Sequence, residues 1–238
     1  MTQPTIITAQ STGYAADSDA SSTTRTYSNV AIPANANTVV IWVTGDTTED
    51  FESFTNITYG DSAAVRTHLV DVSSAAPRMM MASVFDVSSA GALTDDVTAT
   101  FATAASVNTR LGIVCTTGFL ESFFSTQDRS SQEGQSITFS PNYENNLFVL
   151  CNAADDFSGG WTYTTGTQIF QSTAGGTAVG VAAASQATNL SDGSKKIAYT
   201  APTEEVTDFG VLFSTQRNPF ATSFGPVIRP IISHDVIS

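Results

Sequence analysis

Apolar and polar residues alternate along most of this chain with the two-residue period of β-strands. In the stretch 95–102, for example, Val97, Ala99 and Phe101 share one face and polar residues occupy the other. The stretch 38–44 is instead a nearly continuous apolar run bounded by turn residues, which predicts a strand buried on both faces. No long segment has a helical period, so the pattern predicts an all-β protein.

Strands of this kind recur along the chain, separated by turns rich in Gly, Asn, Asp and Pro. The predicted strands of the first half are 25–32, 38–44, 56–59, 65–72, 78–87, 95–102 and 109–118. Those of the second half are 135–140, 146–153, 161–163, 168–172, 178–184, 196–200 and 208–214. Residues 119–124 are predicted to form a single helical turn in a loop.

The second half of the chain repeats the order of the first. Residues 37–46 are similar to 146–155, and residues 110–118 are similar to 208–216. A separation of about 100 residues is much longer than the roughly 20–50-residue repeats of solenoids and propellers. The repeat therefore predicts one antiparallel, jelly-roll-like β-sandwich built from two similar halves. Because the loops repeat poorly, we expect function in the parts that differ.

Composition divides the chain into three parts. Residues 1–24 are predicted to be a flexible polar segment, residues 25–216 the sandwich, and residues 217–238 a proline-rich arm. Proline excludes the arm from a central strand, and its apolar residues need a surface to cover. That surface is either its own domain or a neighbouring subunit, and the candidate contact residues are Phe220, Phe224, Val227, Ile228, Ile231 and Ile232.

The chain is acidic, with a formal net charge of -13, and lysine occurs only at Lys195 and Lys196. Without a basic stripe, direct binding to nucleic acid or to an anionic membrane is not expected. The N-terminal residues lack a signal-peptide pattern, and no apolar run is long enough to span a membrane. We therefore expect synthesis in the cytoplasm, and we predict no cofactor.

Acidic and aromatic residues cluster in two predicted loops that follow equivalent strands. A candidate ligand loop of the first half contains Asp46, Asp50 and Phe51, and its counterpart contains Asp155, Asp156 and Trp161. Such carboxylates bind Ca²⁺, pair as a glycosidase acid and base, or simply keep the protein soluble. The chain has no Asp-x-Asp-x-Asp-Gly calcium loop, which favours the last interpretation. The aromatic residues either stack on a sugar or fill a core, and core packing is the more common role.

Histidine and cysteine do not form a catalytic or zinc-binding pattern. His68 is predicted to be an ordinary strand residue, and neither of the two histidines has zinc-ligand spacing. The nucleophile-elbow pattern Gly-x-Ser-x-Gly is absent, so we expect no enzymatic activity. Cys115 and Cys151 alternate with apolar neighbours, which predicts buried reduced thiols. A disulfide would require adjacent strands in register, and that question stays open.

The segment 27–43 resembles the opening of a jelly-roll-like domain common in structural proteins of tailed bacteriophages and prophages. An alternating strand leads through Pro33 and its neighbours into an apolar strand, and later strands follow the same scheme. The resemblance covers residues 25–215. It implies a rigid sandwich without catalytic residues, and the proline-rich tail lies outside it.

This resemblance implies a non-enzymatic virion protein, most simply a capsid-surface decoration or cement protein or the base of a head fibre. The implied partners are the major capsid protein or neighbouring copies, in a homo-oligomer for which closed symmetry makes a trimer one candidate. The alternative is a carbohydrate-binding or receptor-binding module of a phage tail or fibre. A hydrolase is a third and weaker hypothesis. The implied localisation is the virion.

Overall fold

The computed structural model describes residues 3–15, 22–46, 54–73, 78–102, 108–129, 135–139, 146–154, 162–174, 177–186, 195–200 and 206–215. These residues form sixteen strands and no helix. The first eight are β1 (Ile6–Ala15), β2 (Thr24–Ile32), β3 (Thr38–Asp46), β4 (Phe54–Tyr59), β5 (Val65–Ser73), β6 (Arg78–Asp86), β7 (Leu93–Phe101) and β8 (Asn108–Thr116). The second eight are β9 (Phe119–Arg129), β10 (Gln135–Phe139), β11 (Asn146–Ala154), β12 (Thr162–Tyr163), β13 (Thr167–Ala174), β14 (Thr177–Gln186), β15 (Lys195–Thr200) and β16 (Val206–Ser214). The prediction of an all-β fold is confirmed.

The two halves of the chain have the same topology. In the first half, a five-stranded sheet has the order β1-β8-β3-β6-β5 and a three-stranded sheet the order β2-β7-β4. In the second half the orders are β9-β16-β11-β14-β13 and β10-β15-β12, so every strand is replaced by the one eight positions later. All neighbouring strands are antiparallel. The internal repeat inferred from the sequence is thus a repeat of the complete strand order.

Strand pairing within each half is nested, as in a jelly roll. In the first half β1 pairs with β8, β2 with β7 and β3 with β6. Of the two remaining strands, β4 pairs with β7, and β5 pairs with β6 rather than with β4 and so extends the larger sheet. As a result β5 forms one edge of the five-stranded sheet.

Three buried layers hold the four sheets together. A first core lies between the two sheets of the first half and includes Ile41 and Phe85. A central core lies between the two five-stranded sheets and includes Trp42, Val149 and Val211. Alternation along β11 and β16 directs the remaining side chains of these strands toward the small sheet of the second half. The sequence predicts a single sandwich assembled from the two halves. In the structure, each half is a two-layer sandwich of its own, with one five-stranded and one three-stranded sheet.

Burial on both faces explains the composition of the central strands. β16 is buried along its whole length, because the central core covers one face and the small sheet covers the other. β2, by contrast, alternates between buried and exposed side chains because only one of its faces meets the core. A strand between two cores needs side chains that pack on both faces, which accounts for the apolar run Phe209-Gly-Val-Leu-Phe213 within β16.

Two of the sixteen strands differ from the sequence-based expectation. Residues 119–124 belong to β9, which pairs with β16, so the predicted helical turn is wrong. Residues 6–15 form β1, an edge strand paired with β8, so part of the segment expected to be flexible belongs to the larger sheet. Both strands are bulged edge strands with polar residues, and neither has the clean apolar alternation or the continuous apolar run by which strands are predicted elsewhere.

The repeated glycines Gly112 and Gly210 are not structural equivalents, although they occupy matching places in the sequence. Gly112 pairs with Trp42, whose side chain lies in the central core. Gly210 pairs with Leu150. The residues on either side of Leu150, Val149 and Cys151, point into the central core, so Leu150 and Gly210 point away from it. The two glycines therefore lie on opposite faces of their sheets, since successive side chains alternate. A shift of one residue changes the face of every side chain in the strand.

Candidate functional site

A buried group of polar side chains lies between the two sheets of the second half. Asn152 on β11 and Asp208 on β16 are cross-strand partners, and neither has exposed surface. Tyr163 on β12 and Tyr199 on β15 are partners in the facing small sheet. These four residues are named the polar cluster. Its two halves face each other because one pair projects from each sheet.

Hydrogen bonds connect all four members of the polar cluster. The Tyr199 hydroxyl lies 2.8 Å from each carboxylate oxygen of Asp208 and donates to this group. Asn152 Nδ2 donates to Asp208 Oδ1, and the Tyr163 hydroxyl donates to Asn152 Oδ1. The two tyrosine rings meet edge to face, with their centroids 5.9 Å apart. Hydrogen bonds to a charged acceptor contribute about 1.5–3 kcal/mol each, more than those between neutral groups.

The first half of the chain also contributes to this region. Trp42 Nε1 donates to the backbone oxygen of Asn152 at 3.3 Å, across the central core. The Trp42 ring lies close to Gly112, where even a Cβ atom would collide with the indole. It also faces Phe170 of β13, with ring centroids 6.4 Å apart. β11 is therefore contacted at Asn152 by Trp42 of the first half on one face and by Tyr163 of the small sheet on the other.

Two members of the polar cluster lie on the strands that precede and follow one predicted ligand loop, residues 155–161. Asn152 lies two residues before the end of β11 at Ala154, and Tyr163 is the last residue of β12. The intervening loop residues Asp155, Asp156 and Trp161 lie outside the described residues. The hydrogen bond from Tyr163 to Asn152 joins the two strands from which that loop extends. The sequence pattern identifies this loop, but it does not reveal the hydrogen bond between Tyr163 and Asn152 in the flanking strands.

The corresponding strand end of the first half lies at the same end of the molecule. The contact of Trp42 with Asn152 joins the late parts of β3 and β11. At the opposite end, Gln3 Nε2 donates to the backbone oxygen of Asn146, the first residue of β11. Gln3 precedes β1, and the first residue of β1, Ile6, pairs with Thr116. Thr116 also pairs with Thr38, the first residue of β3, so the starts of β3 and β11 lie at this same end. β3 and β11 therefore run in the same direction, and their following loops leave from one end.

The other predicted site residues fall mostly beyond the described parts of the chain. Asp46 is the last residue of β3, where its backbone pairs with Arg78 and Asn108. Asp50 and Phe51 of the first loop lie outside the described residues. The arm residues do as well: Phe220, Phe224, Val227, Ile228, Ile231 and Ile232.

The aromatic residues beside the first loop fill the core. Phe54 is buried and lies 4.8 Å, centroid to centroid, from the ring of Phe101. Tyr59 is also buried, and its hydroxyl donates to the backbone oxygen of Val30 at 2.8 Å. Burial raises the pKa of Tyr59 to about 12. These two side chains therefore pack in the core and present no face to a sugar.

The two cysteines are buried free thiols, as predicted. Cys115 belongs to the first core and Cys151 to the central core. Burial raises the pKa of the Cys115 thiol to about 12. The pKa of Cys151 is raised as well, first by burial and then by the negative charge of Asp208. Since the thiolate is the reactive form, both groups are unreactive in the folded protein.

His68 lies on the edge strand β5, where its Nδ1 is 3.0 Å from the hydroxyl of Thr67. Its assignment to a strand is confirmed. Within the described ranges, no three His, Cys, Asp or Glu side chains lie close enough together to hold a metal ion. The same ranges contain no helix long and apolar enough to cross a membrane.

The sequence pattern does not identify three members of the polar cluster, namely Asn152, Tyr199 and Asp208. Two of them interrupt otherwise apolar strands, Asn152 in the run 146–153 and Asp208 at the start of the run 208–213. A polar residue in a strand buried on both faces needs a partner, and that requirement is the available signal. The sequence alone does not reveal that the partner is a tyrosine from another sheet.

The polar cluster is suited to positioning rather than to catalysis. Its carboxylate is fully buried, and donors from Tyr199 and Asn152 already bind it. A catalytic group must contact its substrate, whereas this carboxylate has no exposed surface. Comparison with known proteins gives no match among protein families, curated proteins or solved structures.

Proposed function

We propose that this protein is a non-enzymatic structural component of a virus particle, which decorates a capsid or supports a head fibre by binding neighbouring subunits. The proposal combines the resemblance of residues 27–43 to phage structural domains with the form of the folded body. Four sheets stacked around three buried layers make a rigid block, and rigid blocks suit mechanical roles. The apolar arm then supplies one contact with a neighbouring subunit.

The observation that carries this proposal is the open sheet edge at β5. In the described part of the chain, β5 has a hydrogen-bonded neighbour on one side only, namely β6. Two of the three exposed large hydrophobic residues of that part, Val65 and Leu69, lie on this strand. Proteins usually protect such edges, and an unprotected one is a template for pairing with another chain.

Mass spectrometry of gradient-purified particles from the organism that encodes this chain tests the proposal. The protein should co-purify with the particles in a fixed ratio to the major capsid protein. A chain that ends at Arg217 should fold but be lost from the particles, because it lacks the apolar arm. If purified particles lack the full-length protein, the structural role is refuted. If the shortened chain stays bound in full, the role of the arm is refuted.

A carbohydrate-binding role is the second candidate, and it is supported by the geometry of the loop end. The strands that precede both candidate loops end on the same side of the molecule, and a hydrogen bond closes the base of the second loop. Rigidly anchored loops at one end of a β-sandwich are a common way to present a binding surface.

Tryptophan fluorescence tests this second role, because the chain contains only two tryptophans. Trp42 is fully buried, so a change of emission on sugar binding would be expected from Trp161. Titration with host polysaccharides should change the emission of the native protein but not that of Trp161→Phe. An unchanged signal across a broad sugar panel would count against carbohydrate binding.

A further inference from the structure

The exposure of apolar side chains varies along the edge strand β5, and this variation indicates which surface could pair with it. Val65 is 58% exposed and Leu69 is 38% exposed, whereas Val72 near the other end is buried in the central core. Large hydrophobic residues scattered singly over a surface need no explanation, but two on one open edge are different. A strand added to this edge would cover them and pair the outer backbone groups.

Three side chains of β5 project from the same face of the sheet. Their partners on β6 show this: Arg66 pairs with Phe85, Leu69 with Ser83 and Asp71 with Met81. Phe85 and Met81 both lie in the first core, so this face is the one turned toward the small sheet. A bulge between residues 66 and 68 keeps Arg66 on that face despite its sequence spacing from Leu69.

The same face carries both signs of charge. Arg66 reaches toward β4 and donates to the backbone oxygen of Ile57 at 3.2 Å. Asp71 lies on the other side of Leu69, and desolvation by neighbouring protein atoms raises the pKa of its carboxyl. A guanidinium brought near Asp71 would favour the charged carboxylate. The strand is thus complementary to itself when turned through 180°.

We propose that β5 pairs antiparallel with β5 of a second copy, about a two-fold axis that passes through Leu69. The inference rests on the proposed subunit-binding function and names the partner of this edge. In this register Leu69 meets its own equivalent in the second copy, and His68 stands opposite Val70. Asp71 stands next to Arg66 of the other copy, twice by symmetry. Two five-stranded sheets then become one continuous sheet.

The charges on β5 also disfavour other registers of this strand pair. A shift that moved the axis to Asp71 would place two carboxylates opposite each other, and like charges directly opposite are destabilising. Since each chain has a net charge of -13, copies repel one another at long range, and salt weakens that repulsion. The association should therefore strengthen between low and physiological ionic strength.

Cysteine cross-linking tests the register directly, because antiparallel neighbours have Cα atoms about 4.5–5.5 Å apart, within disulfide range. Both native cysteines are fully buried and will not compete. Leu69→Cys should form a disulfide-linked dimer on mild oxidation. Ile169→Cys is the matched control, since Ile169 is 40% exposed on another edge strand, β13. The control should show no comparable dimer in the same oxidation time.

Mass measurement in solution supplies the second arm. The native protein should dimerise in a concentration-dependent way, and Leu69→Lys, which brings two ammonium groups together at the axis, should be monomeric. Cross-linking of Leu69→Cys no faster than that of Ile169→Cys would overturn the inference, as would a native protein that stays monomeric at every concentration. Neither result depends on whether the chain is found in purified particles, so failure here is distinguishable from failure of the virion role.

Discussion

The two sandwiches differ at one equivalent place in their larger sheets. In the first sandwich this place holds the cross-strand pair Val43 and Leu111, both fully buried in an apolar core. In the second, the equivalent position along β11 holds Asn152, and its cross-strand partner is Asp208. One fold therefore tolerates an apolar pair or a buried carboxylate at the same position.

The difference shows that the repeated architecture does not require the polar cluster. Replacing buried ionic groups with well-packed apolar residues is often neutral or stabilising, so the first sandwich represents the energetically simpler solution. The second sandwich keeps a fully buried carboxylate that is hydrogen-bonded to Asn152 of β11, and Asn152 in turn is bonded to Tyr163 of β12. We infer that the polar cluster serves to hold β11 and β12 in place relative to each other rather than to maximise stability.

The largest expected effect is that of removing the carboxylate alone. Asp208→Ala leaves the Tyr199 hydroxyl and Asn152 Nδ2 without this acceptor, at about 1–3 kcal/mol per group, or roughly 2–6 kcal/mol in all. Equilibrium denaturation measures the loss.

The matched control rebuilds the apolar solution of the first sandwich. The quadruple variant Asn152→Val, Asp208→Leu, Tyr163→Phe and Tyr199→Phe removes the donors together with the acceptor. It should recover most of the stability lost by Asp208→Ala. If the quadruple variant is as unstable as the single one, the polar cluster is needed for the fold itself and the comparison fails.

A smaller effect is expected at Gly112. A Cβ atom there would collide with the Trp42 ring in the central core, so Gly112→Ala should cost about 1–3 kcal/mol of unfolding free energy through overpacking. Gly91→Ala is the control, because a Cβ atom on Gly91 would meet no heavy atom within 4 Å apart from those of its two chain neighbours. Equal stability of the two variants would contradict the assignment of Gly112 to the inner face.

The two sandwiches also bind a buried tyrosine hydroxyl differently. Tyr27 donates to the neutral hydroxyl of Thr109 at 2.6 Å, whereas Tyr199 donates to the carboxylate of Asp208. Tyr27→Phe should cost about 0.5–1.5 kcal/mol, and Tyr199→Phe about 1.5–3 kcal/mol because its acceptor is charged. Denaturation of both variants measures the difference, and a larger loss for Tyr27→Phe would reverse the comparison.

The smallest expected effect concerns acid stability of the first sandwich. Desolvation lowers the pKa of His68 from its ordinary value of 6.5, so just below pH 6.5 the unfolded chain binds more protons than the folded one. Stability then falls as the pH drops through this window. His68→Gln should reduce the fall, measured as the melting temperature against pH. An unchanged profile would show that His68 does not contribute.

Much of the fold could be predicted because strand patterning is local. The alternation around Val97 and the apolar run through Trp42 specify strands whatever the rest of the chain does. β1 and β9 escaped prediction because edge strands are held by backbone pairing with β8 and β16, which does not require an apolar pattern. The one-residue difference between Gly112 and Gly210 was equally hidden, since sequence similarity does not record which face a residue occupies.

Residue periodicity was enough to establish the all-β class, most of the strands and the repetition of the two halves, because each of these is written in local order. That each half is a complete two-layer sandwich emerged only from the way the sheets stack. The same stacking brought Tyr163 and Tyr199 of one sheet to Asn152 and Asp208 of another. Buried polar groups must find partners, but the partners come from distant parts of the chain, and no local pattern encodes that distance.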